Sequence, residues 1–460
     1  MKAVTKDAYR LMHEGALALA EIERTGIRVD VEYCRKQEKV LERRINHLEK
    51  KLGEDETIQL WRRTYGAKFN IDSNPQLADI LFNRLKLSSL KQTAKGGQAS
   101  VDDEALASID LPMVKSLLQV KKLKKVQSTY LGGVLREARD GIIHPFFNLH
   151  TVRTFRSSSD KPNFQNIPIR DPEIGKIIRR AFIPYPGHRF GGVDYGGIEV
   201  KISTCYHKDP TMIRYIEDPK SDMHRDSAMD CFILKQEEVM KEVRYCGKNM
   251  FVFPQFYGDY YRNCATSLWN AITSMNLKKT DGTPLKEHLR DQGIKSYQTF
   301  ENHIQDVEDR FWKEKFRVYA QWKKDWVKAY EKKGYFDTLT GFRCGGIMGK
   351  NDAINYPVQG SAFHCLLWSI IQLVRWFREE GLRSKIIGQI HDEMTQSLHP
   401  EEFDYVLSYE RKVMCEDIRE VWPWIITPLT IEAEFGDVDE SWHEKKPVKI
   451  GEGMSDVIAS

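Results

Sequence analysis

The 460-residue sequence lacks any apolar run near the ~18 residues that a helix needs to cross a bilayer. Its N-terminus also lacks the apolar core of a signal peptide. These absences exclude the common membrane and secretory classes. They predict a protein without a membrane partner that stays in the cytoplasm, or in the host cytoplasm if the protein is viral.

The cysteines show neither a metal-site spacing nor a disulfide framework. The chain has 8 of them, scattered, with no CxxC pair and no paired histidine spacing beside them. Reduced thiols in a cytosolic setting are therefore expected, and a structural zinc site is not.

The sequence also lacks a strong charge imbalance, because 70 Lys and Arg against 66 Asp and Glu leave a net charge of only +4. A uniformly basic nucleic-acid coat is thereby excluded. The cations are clumped, however, and one clump is the stretch VKSLLQVKKLKKVQSTY, where lysines lie on an apolar helical repeat. Both a solvated helix face and a surface that follows phosphates fit this pattern.

The length and patterning indicate several lobes rather than one core, since single cores stop growing near ~250–300 residues. Residues 7–52 have the spacing of two long helices. HRFGGVDYGG predicts a short strand that ends at an acid, and SKIIGQIHDEMTQSL predicts two apolar strands about a polar tip. A cleft between lobes is expected.

Two acids lie where predicted strands end. Asp194 closes FGGVD, and Asp392, followed by Glu393, lies at the hairpin tip. An acid held beside buried strands needs a cation, and hard oxygen ligands favour Mg²⁺. Two such ions about 3.5–4 Å apart support phosphoryl transfer. Taken singly, each aspartate is more often an ordinary turn or cap residue.

A third feature is the stretch RYCGKNMFVFPQFYGDYY. Arg244 and Lys248 lie one helical turn apart and precede a dense aromatic run that contains Pro254. Without the strand-end acids, a surface helix above a buried aromatic core would be the favoured interpretation.

Together these motifs resemble those of family A (polymerase I-like) DNA polymerases. DYGGIE is similar to the family's first palm motif DYSxIE, IHDE to VHDE, and RYCGKNMFVFPQFYG to the fingers motif RxxxKxxxFxxxYG. RSSSDKPNFQNIP, DMHR and NYPVQGSA resemble three further motifs, and all six occur in the family's order. The resemblance extends from about Tyr9 to His443.

The resemblance implies an α+β right-hand polymerase fold with a helical thumb, an antiparallel-sheet palm and helical fingers. The expected division is residues 1–145 for the thumb and 146–215 for the first part of the palm. Residues 216–348 would form the fingers, with an insertion at about 271–306 that is more similar to viral and phage members. Residues 349–445 would complete the palm, and 446–460 would form a loose tail.

The resemblance also implies site residues. The catalytic carboxylates would be Asp194, Asp392 and Glu393, and the metal ligands Asp194, the backbone carbonyl of Tyr195, and Asp392. The residues expected to bind the dNTP are His224, Arg244, Lys248, Phe253, Tyr257 and Glu199, the last as a steric gate against a ribose 2′-hydroxyl. The residues expected to bind DNA are Arg156, Gln165, Asn166, Asn355, Gln359, His391, Lys121, Lys122, Lys124 and Lys125.

The implied reaction is template-directed extension of a primer 3′-hydroxyl with dNTPs, using two Mg²⁺ ions, for which Mn²⁺ is a substitute. Primer–template DNA and dNTPs are the expected partners. Because the thumb begins near Met1, we expect no exonuclease lobe, and a separate exonuclease or replisome protein becomes a candidate partner. The alternatives are a single-subunit RNA polymerase-like enzyme and an inactive nucleic-acid-binding replication factor.

The fingers stretch departs from the family pattern by one residue. Nine steps separate Lys248 from Tyr257, where the pattern has eight, so a regular helix would turn Tyr257 about 100° away. A π-bulge would absorb the extra residue, and Pro254 marks its expected place because proline breaks a helical hydrogen bond. We predict that Phe253 rather than Val252 faces the nucleotide sugar. Gly196, Gly197 and Asn351 also replace residues usual in the family.

Overall fold

A computed structural model of the protein describes residues 2–87, 99–107, 109–168 and 171–450. None of the helices within these ranges is long and apolar enough to traverse a bilayer. Helices dominate, and short antiparallel sheets connect them.

The first third is mainly helical. Its first helix begins at Lys6 because the Thr5 hydroxyl accepts the Ala8 N–H at 3.1 Å, and it ends at Gly26, whose φ of +73° suits glycine. The helices are α1 (Lys6–Thr25), α2 (Val31–Gly53), α3 (Glu56–Tyr65), α4 (Asn74–Ala78), α5 (Asp103–Ala107), α6 (Pro112–Lys125) and α7 (Gly132–Glu137). The strands are β1 (Lys2–Ala3), β2 (Ile27–Arg28), β3 (Ile142–Ile143), β4 (Phe146–Asn148) and β5 (Ser158–Asp160). The predicted pair of long helices over residues 7–52 is confirmed.

The middle of the chain carries one long strand and a group of helices. The strand is β6 (Arg189–Tyr195). The helices are α8 (Pro172–Arg179), α9 (Ile198–His207), α10 (Pro210–Glu217), α11 (Met223–Phe232), α12 (Lys241–Cys246), α13 (Phe253–Phe256), α14 (Tyr261–Ser274), α15 (Leu285–Asp291), α16 (Tyr297–Arg310) and α17 (Arg317–Lys333).

The last part returns to strands around one long helix. The strands are β7 (Tyr335–Asp337), β8 (Phe342–Gly345), β9 (Lys385–Ile390), β10 (Glu393–Leu398), β11 (Ile431–Val438) and β12 (Lys446–Val448). The helices are α18 (Lys350–Glu379), α19 (Phe403–Arg411) and α20 (Ile418–Val421). The strand over HRFGGVD and the hairpin over SKIIGQIHDEMTQSL are both confirmed.

A five-stranded antiparallel sheet holds the centre of the molecule in the order β12–β11–β6–β10–β9. Helix α18 covers one face, where the Tyr195 hydroxyl lies 3.0 Å from the Ser369 hydroxyl and donates to the Met414 carbonyl at 2.9 Å. Because β6 is the middle strand, its C-terminal end is held from both sides.

Among the described residues, buried side chains form three apolar clusters. The central cluster joins the sheet to α18 and also to α1, the second contains buried residues from Met212 to Tyr319, and the third lies between Leu52 and Leu117. The expected central sheet and helical lobes are therefore present. Several parts of the expected outer lobes also pack on the central cluster, including α1, α2, the C-terminal half of α6 and the segment that includes Tyr330 and Phe342.

The structure corrects the expectation that residues 446–460 form a loose tail. Residues 446–448 are β12, which pairs with Ala433, Glu434 and Phe435 of β11. The outer edge of β11 offers free backbone groups, and β12 satisfies them. Residues 451–460 lie outside the described residues.

Glu410, on α19, is a fully buried acid that is not one of the two strand-end aspartates. The Gln396 amide donates to one of its carboxyl oxygens, while its other oxygen and the Gln396 amide oxygen are buried without a hydrogen-bond partner. Burial raises the pKa of Glu410 from 4.5 to about 8. A protonated Glu410 can donate to the unpartnered amide oxygen, so the neutral acid fits this site.

We expect the Glu410→Gln substitution to reduce the loss of stability at alkaline pH. The folded protein binds one more proton than the unfolded chain between pH 4.5 and about 8, so the free energy of unfolding falls as pH rises through that window. Between pH 5.5 and 8.5, the free energy of unfolding measured in urea should fall by on the order of 2 kcal/mol less in the variant than in the unmodified protein. Asp404→Asn, an exposed neutralisation on the same helix, is the control. An identical decline in Glu410→Gln and the unmodified protein would contradict this account.

Candidate active site

The two strand-end aspartates meet at one end of the central sheet. Asp194 lies on β6 directly between Glu393 of β10 and Glu432 of β11. Asp392 lies in the two-residue turn between Ile390 and Glu393. Four acidic side chains, three from neighbouring strands and one from the β9–β10 turn, therefore share a small region.

This arrangement is electrostatically unfavourable for the protein alone. Asp194 Oδ1 is buried without a hydrogen-bond partner. Burial, followed by the negative charges of Asp392, Glu393 and Glu432, raises the pKa of Asp194. Burial likewise raises the pKa of Asp392, against the opposing charge of Arg156. An unpartnered carboxylate oxygen beside further carboxylates is the environment that a divalent cation stabilises.

The two aspartates fit a magnesium site that is completed by other oxygen ligands. Within the described ranges, no cluster of three or more His, Cys, Asp or Glu side chains is arranged to hold a metal. Mg²⁺ is commonly bound through one or two carboxylates with water and substrate phosphates. Asp194 and Asp392, together with the carbonyl of Tyr195 next along β6, would supply the protein's share.

Glu393 differs from the two aspartates because a cation of the protein already pairs with it. Lys445 Nζ lies 2.8 Å from Glu393 Oε2 and 3.4 Å from a Glu434 oxygen, and the Lys445 side chain is only 8% exposed. These contacts do not favour the predicted role of Glu393 as a catalytic carboxylate. Its carboxylate and Lys445 balance charge beside Asp194.

The fingers stretch contains the predicted π-bulge. Helix α12 continues as a π-helix over Gly247–Val252, and α13 resumes at Phe253 immediately before Pro254. The wide turn leaves Val252 fully buried in the second apolar cluster, whereas Phe253 faces a cavity. The extra residue is thus absorbed before position 253.

The Phe253 ring lies against two other residues predicted to bind the dNTP, Lys248 and His224. Lys248 Nζ lies 5.2 Å from the ring centroid, within range of a cation–π contact, and the His224 ring lies edge-on at 5.6 Å. Arg244 Nε donates to Asp222 at 2.6 Å. Arg244, Lys248 and Phe253 thus lie on the side of the stretch that faces His224.

Among the residues expected to bind the dNTP, His224 does not provide a cation at neutral pH. Burial, followed by the positive charges of Lys248 and Arg244, lowers the pKa of His224 to about 4. Its Nδ1 is buried without a partner. His224 is therefore a neutral hydrogen-bonding group, and the positive charge comes from Arg244 and Lys248.

A cavity of about 350 Å³ lies between the fingers stretch and the hairpin tip. It brings together eight of the predicted site residues, namely Arg156, Glu199, Phe253, Tyr257, Asn355, Gln359, His391 and Asp392. Its walls come from α9, α13, α18 and the β9–β10 turn.

Glu199 is the hub of the cavity's polar groups. The Tyr257 hydroxyl donates to one of its oxygens and the Arg156 guanidinium donates to the other. Burial, followed by the charge of Glu199, raises the pKa of Tyr257. Arg156, predicted to contact DNA, is thus paired with Glu199 in this structure.

Two asparagines of α18 fix the backbone after α13. Asn355 donates to the Tyr257 carbonyl at 3.2 Å, and Asn351 donates to the Gly258 carbonyl at 3.3 Å. Gly258 has φ of +90°, and a Cβ there would lie 2.3 Å from an Asn351 side-chain oxygen. Asn355 was predicted to contact DNA, but here it positions Tyr257. Asn351, which departs from the family pattern, takes part in the same role.

Gln165 was predicted to contact DNA, but its side chain is buried within the protein. Its amide nitrogen donates to Ser157 at 2.8 Å and to the Gln389 side-chain oxygen at 2.7 Å. Gln389 in turn donates to the His391 carbonyl at 2.5 Å, where His391 has φ of +53°. This network holds the hairpin tip that carries Asp392. Asn166, by contrast, is exposed.

Most of the lysines on α6 have partners within the protein. Lys122 pairs with Asp171, Lys124 Nζ lies 2.8 Å from Glu49, and Lys121 donates to Asn74 at 3.1 Å. Lys125 lines a cavity of about 480 Å³ that also includes Asn166. Lys125 thus shares this groove with Asn166, a predicted DNA ligand that lies outside α6.

We expect Phe253→Ala to raise the KM for dNTP roughly tenfold, because the ring supplies area that a sugar can pack against. Val252→Ala removes a side chain of the fingers core, so it should lower the thermal stability and change the KM less than about threefold. Single-nucleotide kinetics and thermal unfolding separate the two outcomes. A larger KM effect from Val252→Ala would contradict the assignment of Phe253 to the cavity wall.

Comparison with known proteins gives a consistent result. The family model described as DNA polymerase family A matches residues 31–444. DNA polymerase I of Chloroflexus aurantiacus is 29% identical over 94% of this chain and 43% of its own length, and that of Bacillus subtilis is 28% identical over 94% and 45%. The chain therefore spans less than half the length of these curated relatives.

A solved structure is also similar over nearly the whole chain. It is the POL domain of Pol1 from M. smegmatis, in a complex with DNA primer-template and dNTP. The two chains are 25% identical in sequence and superpose with a TM-score of 0.73. The match covers 94% of this chain and 70% of the Pol1 chain. The arrangement of sheet and helical lobes is thus a right-hand polymerase fold.

Proposed function

This chain belongs to DNA polymerase family A, and from that premise we propose that it extends a primer 3′-hydroxyl with dNTPs under the direction of a DNA template. The observation that carries the proposal is the pair Asp194 and Asp392 at one end of the central sheet. The unpartnered Oδ1 of Asp194 points to a bound cation, and Lys248 and Phe253 lie across the cleft.

The proposed reaction is an in-line displacement at the α-phosphorus. The primer oxygen forms a new P–O bond, its proton leaves, and the bond to the bridging oxygen breaks to release pyrophosphate. Two divalent cations, generally Mg²⁺ in this chemistry, would lower the pKa of the hydroxyl and neutralise charge on the attacking and leaving oxygens. Asp194, Asp392 and the Tyr195 carbonyl would hold them.

The fingers residues would bind and orient the triphosphate. Arg244 and Lys248 supply fixed positive charge, and a neutral His224 supplies one hydrogen bond. Phe253 would pack against the deoxyribose, and Tyr257 would stack beside the template base. Glu199, held by Arg156 and Tyr257, would exclude a 2′-hydroxyl.

The DNA would lie along the groove that contains Lys125 and Asn166. Gln359 and His391 line the same cavity as Asp392, and they would contact the primer–template minor groove. The lysines of α6 would exchange their internal acidic partners for phosphates, which makes binding salt-dependent.

We also propose the division of the chain into a thumb (1–145), palm (146–215 and 349–445, with β12 at 446–448 paired onto its sheet) and fingers (216–348). The second apolar cluster supports the fingers, since it lies almost wholly within that range. The third cluster lies within the thumb, while many other buried residues of the thumb pack on the central cluster.

Primer extension with dNTPs or with rNTPs tests the proposal against its alternatives. Full-length extension with dNTPs and little with rNTPs is the expected result. Preferential use of rNTPs would indicate an RNA polymerase-like enzyme, and tight primer–template binding without extension would indicate an inactive replication factor.

A further inference from the structure

A polar cluster around the buried Gln255 side chain supports the fingers stretch next to the proposed nucleotide cavity. Its members are Gln255, Glu308, Trp312 and Lys323. Gln255 is 1% exposed, its amide donates to Glu308 at 2.6 Å, and its side-chain oxygen accepts from the Trp312 indole at 2.6 Å. Lys323 Nζ donates to the Gln255 backbone carbonyl at 3.1 Å. Every hydrogen-bonding group of the Gln255 side chain, and its carbonyl, is thus engaged.

Lys323 is an unusual residue for such a place. Its Nζ lies 3.8 Å from the Trp312 ring centroid and 4.8 Å from that of Tyr319. Burial lowers the pKa of Lys323 to about 7, although the Glu308 carboxylate acts in the opposite direction. A half-buried lysine whose charge is partly desolvated costs stability that an aliphatic residue would not. What Lys323 contributes instead is the hydrogen bond that it donates to the Gln255 backbone carbonyl.

That carbonyl controls the position of Tyr257. The Gln255 carbonyl also accepts the Gly258 N–H at 3.3 Å, which closes a turn around Tyr257. The Tyr257 N–H in turn donates to the Phe253 carbonyl at 3.0 Å. A cation at the C-terminal end of a helix satisfies carbonyls that have no partner within the helix. Movement of this carbonyl would carry Tyr257 away from Glu199.

We propose that Lys323 is a positioning residue that caps the end of α13 and so fixes Tyr257 and Phe253 in the nucleotide cavity. Gln255, Glu308 and Trp312 hold the same helix end from its buried side. The kinetic part of this inference rests on the proposed polymerase function. The structural part does not.

The kinetic test is Lys323→Met, which keeps the length of the side chain and removes the donor. We expect the KM for dNTP to rise about tenfold, with kcat within threefold and the primer–template Kd unchanged, because a small displacement of a positioning group weakens substrate alignment. Lys324→Met, an exposed neighbour on α17, should change none of these values.

A double-mutant cycle asks whether Lys323 acts through Tyr257. Tyr257→Phe should raise the KM for dNTP when it is made in the unmodified protein. When it is added to Lys323→Met, it should raise the KM of that variant by less than about twofold. Fully additive effects, or an unchanged KM in Lys323→Met, would overturn the proposal. Trp312→Phe removes one donor to Gln255 and should shift the KM in the same direction by about threefold. It provides the test if Lys323→Met does not fold.

A substrate-free measurement separates this inference from the proposed function. With 3-fluorotyrosine placed at position 257, the ¹⁹F resonance should shift or broaden in Lys323→Met and remain unchanged in Lys324→Met. An unchanged resonance in Lys323→Met overturns the inference even if the protein is an active polymerase. A shifted resonance supports it even if no primer is extended.

Discussion

Asp194→Asn is expected to reduce nucleotide incorporation by roughly 10³-fold or more, while the affinity for primer–template DNA changes little. The carboxylate is proposed to hold the cations that lower the barrier by several kcal/mol, and an amide is a much weaker ligand for them. The lysines and the groove that would bind DNA lie elsewhere in the structure. Asp392→Ala should behave in the same way.

The same substitution should not lower the stability of the protein. Asp194 is surrounded by Asp392, Glu393 and Glu432, and its Oδ1 is buried without a partner. Removing that charge relieves repulsion, so the Tm without added cations should be equal or higher. Single-turnover incorporation and thermal unfolding are the measurements. Glu432→Gln, which removes a neighbouring charge but no proposed ligand, should keep activity within about threefold.

Two results would contradict this account. Near-normal incorporation by Asp194→Asn would refute its role in holding cations. A large fall in Tm together with the activity loss would assign Asp194 a structural role instead.

Glu199→Ala is expected to lower the preference for dNTPs over rNTPs by roughly 10²-fold. The carboxylate lies in the cavity wall, and Arg156 and Tyr257 hold both of its oxygens, so it cannot turn aside for a 2′-hydroxyl. A rigid group that clashes with one substrate alone discriminates through repulsion. The ratio of kcat/KM for a dNTP to that for the matching rNTP is the quantity to measure.

Tyr257→Phe is the matched comparison for Glu199→Ala. It retains the ring and the carboxylate but removes one of the two donors, so the ratio should fall by an intermediate amount, about tenfold. If Glu199→Ala leaves the ratio unchanged, the gate lies at another residue.

The parts of the fold that follow from local rules could be predicted from the sequence. Asp194 ends an apolar strand, and Asp392 lies at the tip of a symmetrical pair of apolar runs, so both strands and the hairpin were predictable. The π-bulge was predictable because one additional residue in a helix must be absorbed. Each of these features depends only on neighbours in the chain.

The contacts that modify the site could not be predicted, because they join distant parts of the chain. Lys445 pairs with Glu393 across 52 positions, and Gln165 with Gln389 across 224. Lys323 precedes Lys324, so the pair has the pattern of an exposed helix face. The burial that makes His224 neutral likewise depends on how α11 packs on the π-helix segment.

Templating is the property that most directly tests the central claim. Each of the four dNTPs is supplied singly, with Mg²⁺, to the purified chain on four primer–templates that differ in the next template base. The account predicts incorporation only for the four complementary pairs, and none by Asp194→Asn. Addition that is independent of the template base, or no addition on any template, would contradict it.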